Sequence, residues 1–393
     1  MDAIAESQNK GKGRAVVTSL IREYYSNARN LAPQSVEKRE FGIGTFDAKI
    51  LYRHLSFGSE DALKAYLSSK APPYVSYSAA YYKHPGKRPM ENKLWEGSEL
   101  VFDLDVTDMH LPCQSLHGRA WVCGTCLSSV KAETIKLIEE FLMPDFGLSD
   151  SEISVNFSGN RGYHVHVNNN ALLGLSAKAR SEISSYISGA GIDATLFFPT
   201  AGQRGVRLVG PKPTDKGWAG KMARAFLANL NIGAEKLAAL GISPQLAKNL
   251  YKKRALIEMG IRNGNWDMIY IPNKAEFWKG ILKNQAVSQS DKIDRNVTRD
   301  PSHLIRLPGS IHGDTGLIAM KIGKSPALEG FDPMSSAIAF RKGEVACVAN
   351  TKESLTFNSS EFGPYKNEAV TLPMYVGVYL FLKGFAEIRE AHI

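Results

Sequence analysis

A chain of 393 residues, 44% hydrophobic and 22% charged, can bury a large core and has room for two or three domains. Its net charge of +9 points to a polyanionic partner such as nucleic acid, nucleotide or an anionic membrane, with an incidentally basic enzyme as the plainer alternative. No apolar run reaches bilayer length: the most hydrophobic, MYVGVYLFL (374–382), stops at Lys383. The opening MDAIAESQNKGKGR has no signal-peptide pattern, so a flexible tail over 1–14 and a soluble intracellular protein are expected.

Residues 15–29, AVVTSLIREYYSNAR, carry apolar side chains at helical spacing. KREFGIGTF (38–46) and YVSYSAAYY (74–82) read as strands, the second running into the basic turn KHPGKRPMEN. ELVFDLDVTD (99–108) is a buried strand interrupted by acids. Strand residues i and i+2 share a face, so Asp103 and Asp105 leave the sheet side by side. Close carboxylates repel and resist burial, so the pair needs something cationic.

Three of the four cysteines follow within fourteen residues. Cys113-x3-His117-x5-Cys123-x2-Cys126 supplies three thiolates and an imidazole, a tetrahedral set for Zn2+, with His110 as the alternative imidazole. A closed set leaves no position for substrate, so this zinc is expected to be structural, pinning a loop at about 110–128 beside the acidic strand. Buried free cysteines fit poorly with a loop so short of apolar residues.

SSVKAETIKLIEEFLMPDFG (128–147) is an amphipathic helix closed by Pro and Gly signals. EISVNFSGNRGYHVHV (152–167) alternates on both sides of SGNRG as strand, turn, strand. With parity kept through the turn, Ser158, His164 and His166 share one face and Phe157, Tyr163, Val165 and Val167 the other. Ser158, Gly159, Arg161, Gly162 and His164 offer hydroxyl, backbone N–H, guanidinium and imidazole groups suited to a phosphate. A Gly-rich hairpin turn with an exposed arginine explains the same residues alone. Ser176 caps a helix through SEISSYISGAG.

From 212 to 290 short helices rich in Ala, Leu and Lys replace this texture, an expected helical insertion in an α/β core spanning 15–211 and 291–393. The core resumes at HLIRLPGSIHGDTGLIAMKI (303–322), two strand-like runs joined by a Gly-rich connection. Here Asp294, with Asp291 and Asp300 as rival acids, comes near His303, Arg306 and His312. A charge inside LIRLP marks either a salt bridge or an anion site. Thr371 and Pro373 open a last amphipathic helix.

Two strand carboxylates plus a third acid suit divalent cations, and two histidines with two arginines suit a triphosphate. Together they form the arrangement of two-metal phosphoryl transfer, in which Mg2+ or Mn2+ offsets the repulsion between Asp103 and Asp105.

ELVFDLD, the Cys/His segment after it, FSGNRGYHVHV and HLIRLPGSIHGDTGL, in this order, resemble the small catalytic subunit of archaeal and eukaryotic DNA primases. KREFGIG (38–44) and IREYY (21–25) resemble that family's N-terminal region. The resemblance runs from about 15 to 390 and is weakest across the helical insertion. It implies a prim fold: a mixed-sheet α/β catalytic body with a shallow cleft and a zinc-binding knob. It implies a DNA primase, synthesising short RNA or DNA primers on single-stranded DNA from nucleoside triphosphates by two-metal nucleotidyl transfer. By position, Asp103, Asp105 and Asp294 would hold Mg2+ or Mn2+. Ser158, Arg161, His164, Arg306 and His312 would bind the triphosphate, with Arg39 and His303 near the nucleotide. Asn160 departs from the family, which often carries a basic residue there.

RLPGS and the zinc spacing resemble the archaeal branch, implying a cytoplasmic protein (nuclear if eukaryotic). The family's large subunit carries an iron–sulfur cluster. Only Cys347 remains here beyond the zinc set, so the cluster belongs on a separate large-subunit partner. The same acids would serve a primase-polymerase acting in primer extension or repair. A non-catalytic zinc-stabilised nucleic-acid-binding module is the reading of another class, and it leaves the conjunction of these motifs unexplained.

Overall fold

The computed structural model describes residues 2–200, 206–287 and 293–392, with side chains from residue 10 and, in the second stretch, as far as 284. The chain divides into two compact units: Met1–Ile135 with Ser149–Ser181 and Asp294–Ile393, and Lys136–Leu148 with Glu182–Ile293.

In the first unit the strands are β1 (Phe41–Thr45), β2 (Ala48–Leu55), β3 (Tyr74–Ser78), β4 (Ala80–Tyr82), β5 (Trp95–Ser98), β6 (Leu100–Asp105), β7 (Ile153–Phe157), β8 (Gly162–Val167), β9 (Leu304–Arg306), β10 (Met320–Gly323), β11 (Glu344–Asn350), β12 (Leu355–Phe357), β13 (Ser360–Phe362), β14 (Lys366–Pro373) and β15 (Ala386–His392). Two four-stranded sheets, ordered β2-β1-β3-β9 and β10-β7-β8-β6, and a three-stranded sheet, β14-β11-β15, make up most of this mixed α/β unit. The two strand-like runs expected at 303–322 are present, but they join different sheets: β9 pairs with β3 and β10 with β7. Residues 307–319 therefore cross from one sheet to the other, carrying His312 with them.

The first helix runs from Asp2 to Asn27, so residues 2–14, expected as a flexible tail, continue it. Arg14 anchors that stretch to Asp47 at 2.7 Å. Val17, Leu20, Ile21 and Tyr25 recur at helical spacing and are buried in a core that also takes in Phe41, Val75, Ile305 and Ile311. Tyr24 Oη donates to Gly309 O at 2.7 Å, and Ile311 N donates to Tyr25 Oη at 3.2 Å. This helix thus holds the crossing segment.

The last helix, Met374–Leu382, begins after β14, which itself contains Thr371 and Pro373. It is buried nearly all round rather than amphipathic, because Met374, Val376, Gly377, Val378, Tyr379 and Leu380 all face protein.

The second unit takes in 136–148 and 182–211 as well as the 212–290 stretch. Its helices include Gly217–Ile232, Pro244–Lys252, Arg254–Arg262 and Lys274–Val287. Phe226, Trp266 and Trp278 form its centre, with Trp266 and Trp278 rings 5.0 Å apart edge to face. Lys221 reaches Asp145 at 2.5 Å, and Tyr186 Oη donates to the same carboxylate, which ties residues 136–148 into this unit.

Candidate active site

Antiparallel register in the second sheet sets Asp103 opposite His164, Asp105 opposite Gly162 and Asn156 opposite His164. One face therefore gathers Asp103, Asp105, Asn156, His164 and His166, while Phe102, Leu104, Phe157, Tyr163 and Val165 are buried on the other. The expected parity across the SGNRG turn is what the register has.

Asp103 keeps 26% of its side chain exposed, with Oδ1 3.6 Å from His164 Nε2. Burial, then the charges of Asp105, Asp294 and Asp108, push its pKa up to about 8. Asp294 N donates to Asp103 O at 3.0 Å, which brings the third acid alongside. Its carboxylate caps the short helix Arg295–Arg299 by accepting from Asn296 N at 2.8 Å. Of the rival acids, Asp300 is turned to Ser302 N and Oγ, and Asp291 lies outside the described residues. Asp105 accepts from Arg161 Nε at 2.8 Å, Thr107 N at 2.7 Å and Thr107 Oγ1 at 2.6 Å. The three carboxylates neighbour one another closely enough to raise Asp103, but among the described residues they do not bring their oxygens together within 4.8 Å.

The turn between β7 and β8 is built for close approach. A Cβ at Gly162 would lie 2.3 Å from Leu104 O, and Gly159 has φ +86°. Ser158 Oγ accepts from Gly162 N at 3.2 Å and Asn160 N at 3.4 Å. Thr315 Oγ1 donates to Gly159 O at 2.5 Å, which ties the turn to the crossing segment. In that segment His312 Nδ1 accepts from Asp314 N at 3.2 Å, leaving the ring proton on Nε2. Burial, then the charges of Arg306, Lys49, Lys383 and Arg161, hold His312 neutral, well below the usual histidine range. His164 is lowered likewise by burial, then by His166, Arg306 and His303.

Arg306 lies over the Tyr74 ring, 4.9 Å from its centroid, and Nη1 reaches Val75 O at 3.4 Å. Its Nε is buried without a hydrogen-bond partner, and among the described residues no carboxylate comes within 4.0 Å of it. The salt-bridge alternative for this residue thus finds no partner there. Arg161 bonds to Asp105 and His164 neighbours Asp103, His303 lies within range of the charge of Asp294, and Arg306 acts on both His164 and His312. Arg39 does not join them. Its guanidinium is buried and bonded to Gln34 O, Ser78 O, Ala79 O and Glu99, and it stacks on Tyr81 at 3.7 Å.

Cys113, His117, Cys123 and Cys126 place their ligand atoms within 4.8 Å of one another, the one such group among the described residues. Cys126 Sγ is 3.5 Å from Cys113 Sγ, 3.6 Å from Cys123 Sγ and 3.5 Å from His117 Nε2. A tetrahedral zinc with bonds of about 2.3 Å needs sulfurs just under about 4 Å apart, so the set could bind Zn2+. His117 Nδ1 bonds to Gly118 O at 2.8 Å, which leaves Nε2 as the ligand atom; His110 is outside the group. The cluster lies next to the acids, because Arg161 Nη1 donates to Arg119 O at 3.1 Å. Cys347 is buried in β11, away from this group.

Sequence reasoning passed over Asp108, Lys49 and Lys383. Asp108, raised by burial and by Asp105 and Asp294, is the next acid along DLDVTD. Lys383 Nζ donates to Asn160 Oδ1 at 2.9 Å, and its signal was a cation ending an apolar run.

Residues 102–323, which contain the acids, the Cys/His set, the turn and the crossing segment, match the family model of the DNA primase small subunit; the chain belongs to that family. DNA primase small subunit PriS of Methanothrix thermoacetophila is 33% identical over 96% of this chain and 100% of its own length. PriS of Methanococcoides burtonii is 32% identical over 96% and 98%, and that of Pyrobaculum arsenaticum 31% over 94% and 98%. The chain is accordingly a DNA primase catalytic subunit, a nucleotidyltransferase of replication. Among the described residues no helix is long and apolar enough to cross a membrane.

Proposed function

We propose that the polar face of the second sheet, in a body of prim fold, joins nucleoside triphosphates into short RNA or DNA primers on a single-stranded DNA template. The protein acts in the cytoplasm beside a separate large subunit that carries an iron–sulfur cluster. One observation carries the reading: among the described residues Asp103, crowded by acids, has no lysine or arginine within 4.0 Å, and Arg306, whose charge acts on the neighbouring His164, has no carboxylate within 4.0 Å. Such a pattern resists burial by itself and would be relieved by dications on one side and phosphates on the other.

Asp103, Asp105 and Asp294 offer hard oxygen donors, and the repulsion that raises Asp103 is of the kind a dication offsets. Mg2+ or Mn2+ held there would supply positive charge to the reacting phosphate and its leaving group. Arg161 and Arg306 present forked donors, His312 presents Nε2–H, and the Ser158 turn presents a hydroxyl and backbone N–H groups, all suited to phosphate oxygens. His303, lowered by burial, lies within range of the charges of Asp300 and Asp294. The Cys113, His117, Cys123 and Cys126 set takes Zn2+ structurally and braces the loop that Arg161 touches.

The test is formation of labelled dinucleotide from triphosphates on single-stranded DNA with Mg2+ or Mn2+, with and without the large subunit. Product that depends on both template and metal is expected. Template-independent addition, or extension of supplied primers without initiation, would overturn the reading.

A further inference from the structure

Lys383 is the C-cap residue of the helix Met374–Leu382. Gly384 follows in the left-handed region, φ +81°. Gly384 N and Phe385 N donate to Phe381 O at 3.0 Å and Leu380 O at 2.7 Å, the paired bonds of a Schellman ending. The helix is seated hard on β11, since a Cβ at Gly377 would lie 2.0 Å from Val345 Cγ1. The backbone at 383 is therefore fixed. From it the side chain passes over the Tyr379 ring, with Nζ 5.7 Å from the centroid, and ends 2.9 Å from Asn160 Oδ1 in the Ser158–Gly162 turn.

That ammonium has a neutral acceptor and, among the described residues, no carboxylate within 4.0 Å. Arg161 repels it most strongly, Asp314 and Asp105 attract it less strongly, and Lys49 adds the weakest repulsion. Both acids are otherwise engaged: Asp314 with Tyr74 and Lys49, Asp105 with Arg161 and Thr107. Lys383, Arg161, Lys49 and Arg306 all act on the neutral His312 ring. Burial and Arg161 bring the Lys383 pKa down to about 8, a measure of how poorly its charge is compensated. Cations gathered around one imidazole with no free anion among them make a receptor for a polyanion.

We propose that Lys383 is a direct ligand of the incoming nucleotide's phosphates, closing from the turn side the receptor formed by Arg161, Arg306 and His312. The proposal rests on the reading that a triphosphate occupies this receptor. Asn160 then acts as a holder, keeping the ammonium in place by one hydrogen bond.

The test uses the full chain and calorimetric binding of ATP, AMP and inorganic tripolyphosphate at fixed Mg2+. Lys383→Gln keeps a donor for Asn160 Oδ1 and removes the charge; Lys383→Met removes both, and serves if the first variant misfolds. Either should weaken ATP and tripolyphosphate about tenfold, the lower range for a charge-assisted hydrogen bond, and AMP by less than about twofold. Lys383→Arg should restore most of the loss, and Asn160→Ala should cost less than about threefold. Equal losses for ATP and AMP, or an Asn160→Ala loss matching Lys383→Met, would make the lysine a clamp for the turn and overturn the proposal. Arg306→Ala is the control. If it loses triphosphate binding while the Lys383 variants do not, this inference fails and the triphosphate reading stands; if none loses it, the reading itself fails.

Discussion

Glu99 and Asp103 lie four residues apart and alternate onto the same face of one stretch of chain, yet their surroundings are opposite. Glu99 accepts from His166 Nδ1 at 2.9 Å, from Tyr81 Oη at 2.9 Å and from Arg39. Burial alone would raise its pKa, but the His166 bond and the Arg39 charge outweigh burial and bring it down to about 2. Among the described residues Asp103 has a neutral histidine at 3.6 Å and three neighbouring acids, and it is pushed up to about 8. The paired acid locks the two sheets together through Arg39. The unpaired one sits where charge has been left uncompensated, and that is where ligands belong.

The comparison breaks most sharply at the acids. Asp105→Ala should lower primer synthesis at least about 1,000-fold, since a catalytic cation site is worth several kcal/mol. Near-normal synthesis would remove the two-metal proposal. Glu99→Ala should act on stability instead, costing about 3–5 kcal/mol in urea unfolding because it strands Arg39 in the interior.

Acid should mimic that variant. A carboxylate depressed from 4.5 to about 2 adds stability above its unfolded pKa and loses it as pH falls through the folded value. The contribution, roughly 3 kcal/mol, should disappear between about pH 4.5 and 2 in the wild type and be absent from Glu99→Ala.

Arg306→Ala comes next. It should weaken triphosphate binding by about one to two orders of magnitude, monophosphate binding much less and single-stranded DNA binding little. Equal nucleotide losses would make Arg306 a structural residue. The smallest effect on synthesis is expected from zinc. One zinc per chain should be found, and Cys123→Ser should loosen residues 110–128 to proteolysis. It should slow synthesis only about fivefold, the worth of the Arg161 to Arg119 O bond it disturbs.

Local signals in the sequence were enough for several of these features. Alternation placed Asp103 and Asp105 on one face, and ligand spacing gathered Cys113, His117, Cys123 and Cys126. Non-local pairing was not legible. β9 and β10 read as two strand-like runs joined by a Gly-rich connection, and only partners more than 150 residues away draw them into separate sheets. The final helix looked amphipathic because its burial comes from several elements at once. Arg39 resembled a nucleotide contact, but its fate depends on Glu99, sixty residues on. Lys383 meets Asn160 across 223 residues, a separation no periodicity reports.

The most direct test of the contrast is synthesis by Asp103→Asn, which keeps the side chain's shape and removes its charge. Labelled dinucleotide formation on single-stranded DNA should fall at least about 1,000-fold. The metal-free melting temperature should hold or rise slightly, because Asn removes the cost that burial and the neighbouring acids impose on the Asp103 carboxyl above its unfolded pKa. Synthesis within about threefold of wild type, or a melting loss as large as that of Glu99→Ala, would contradict the assignment of catalysis to the unpaired acid and stability to the paired one.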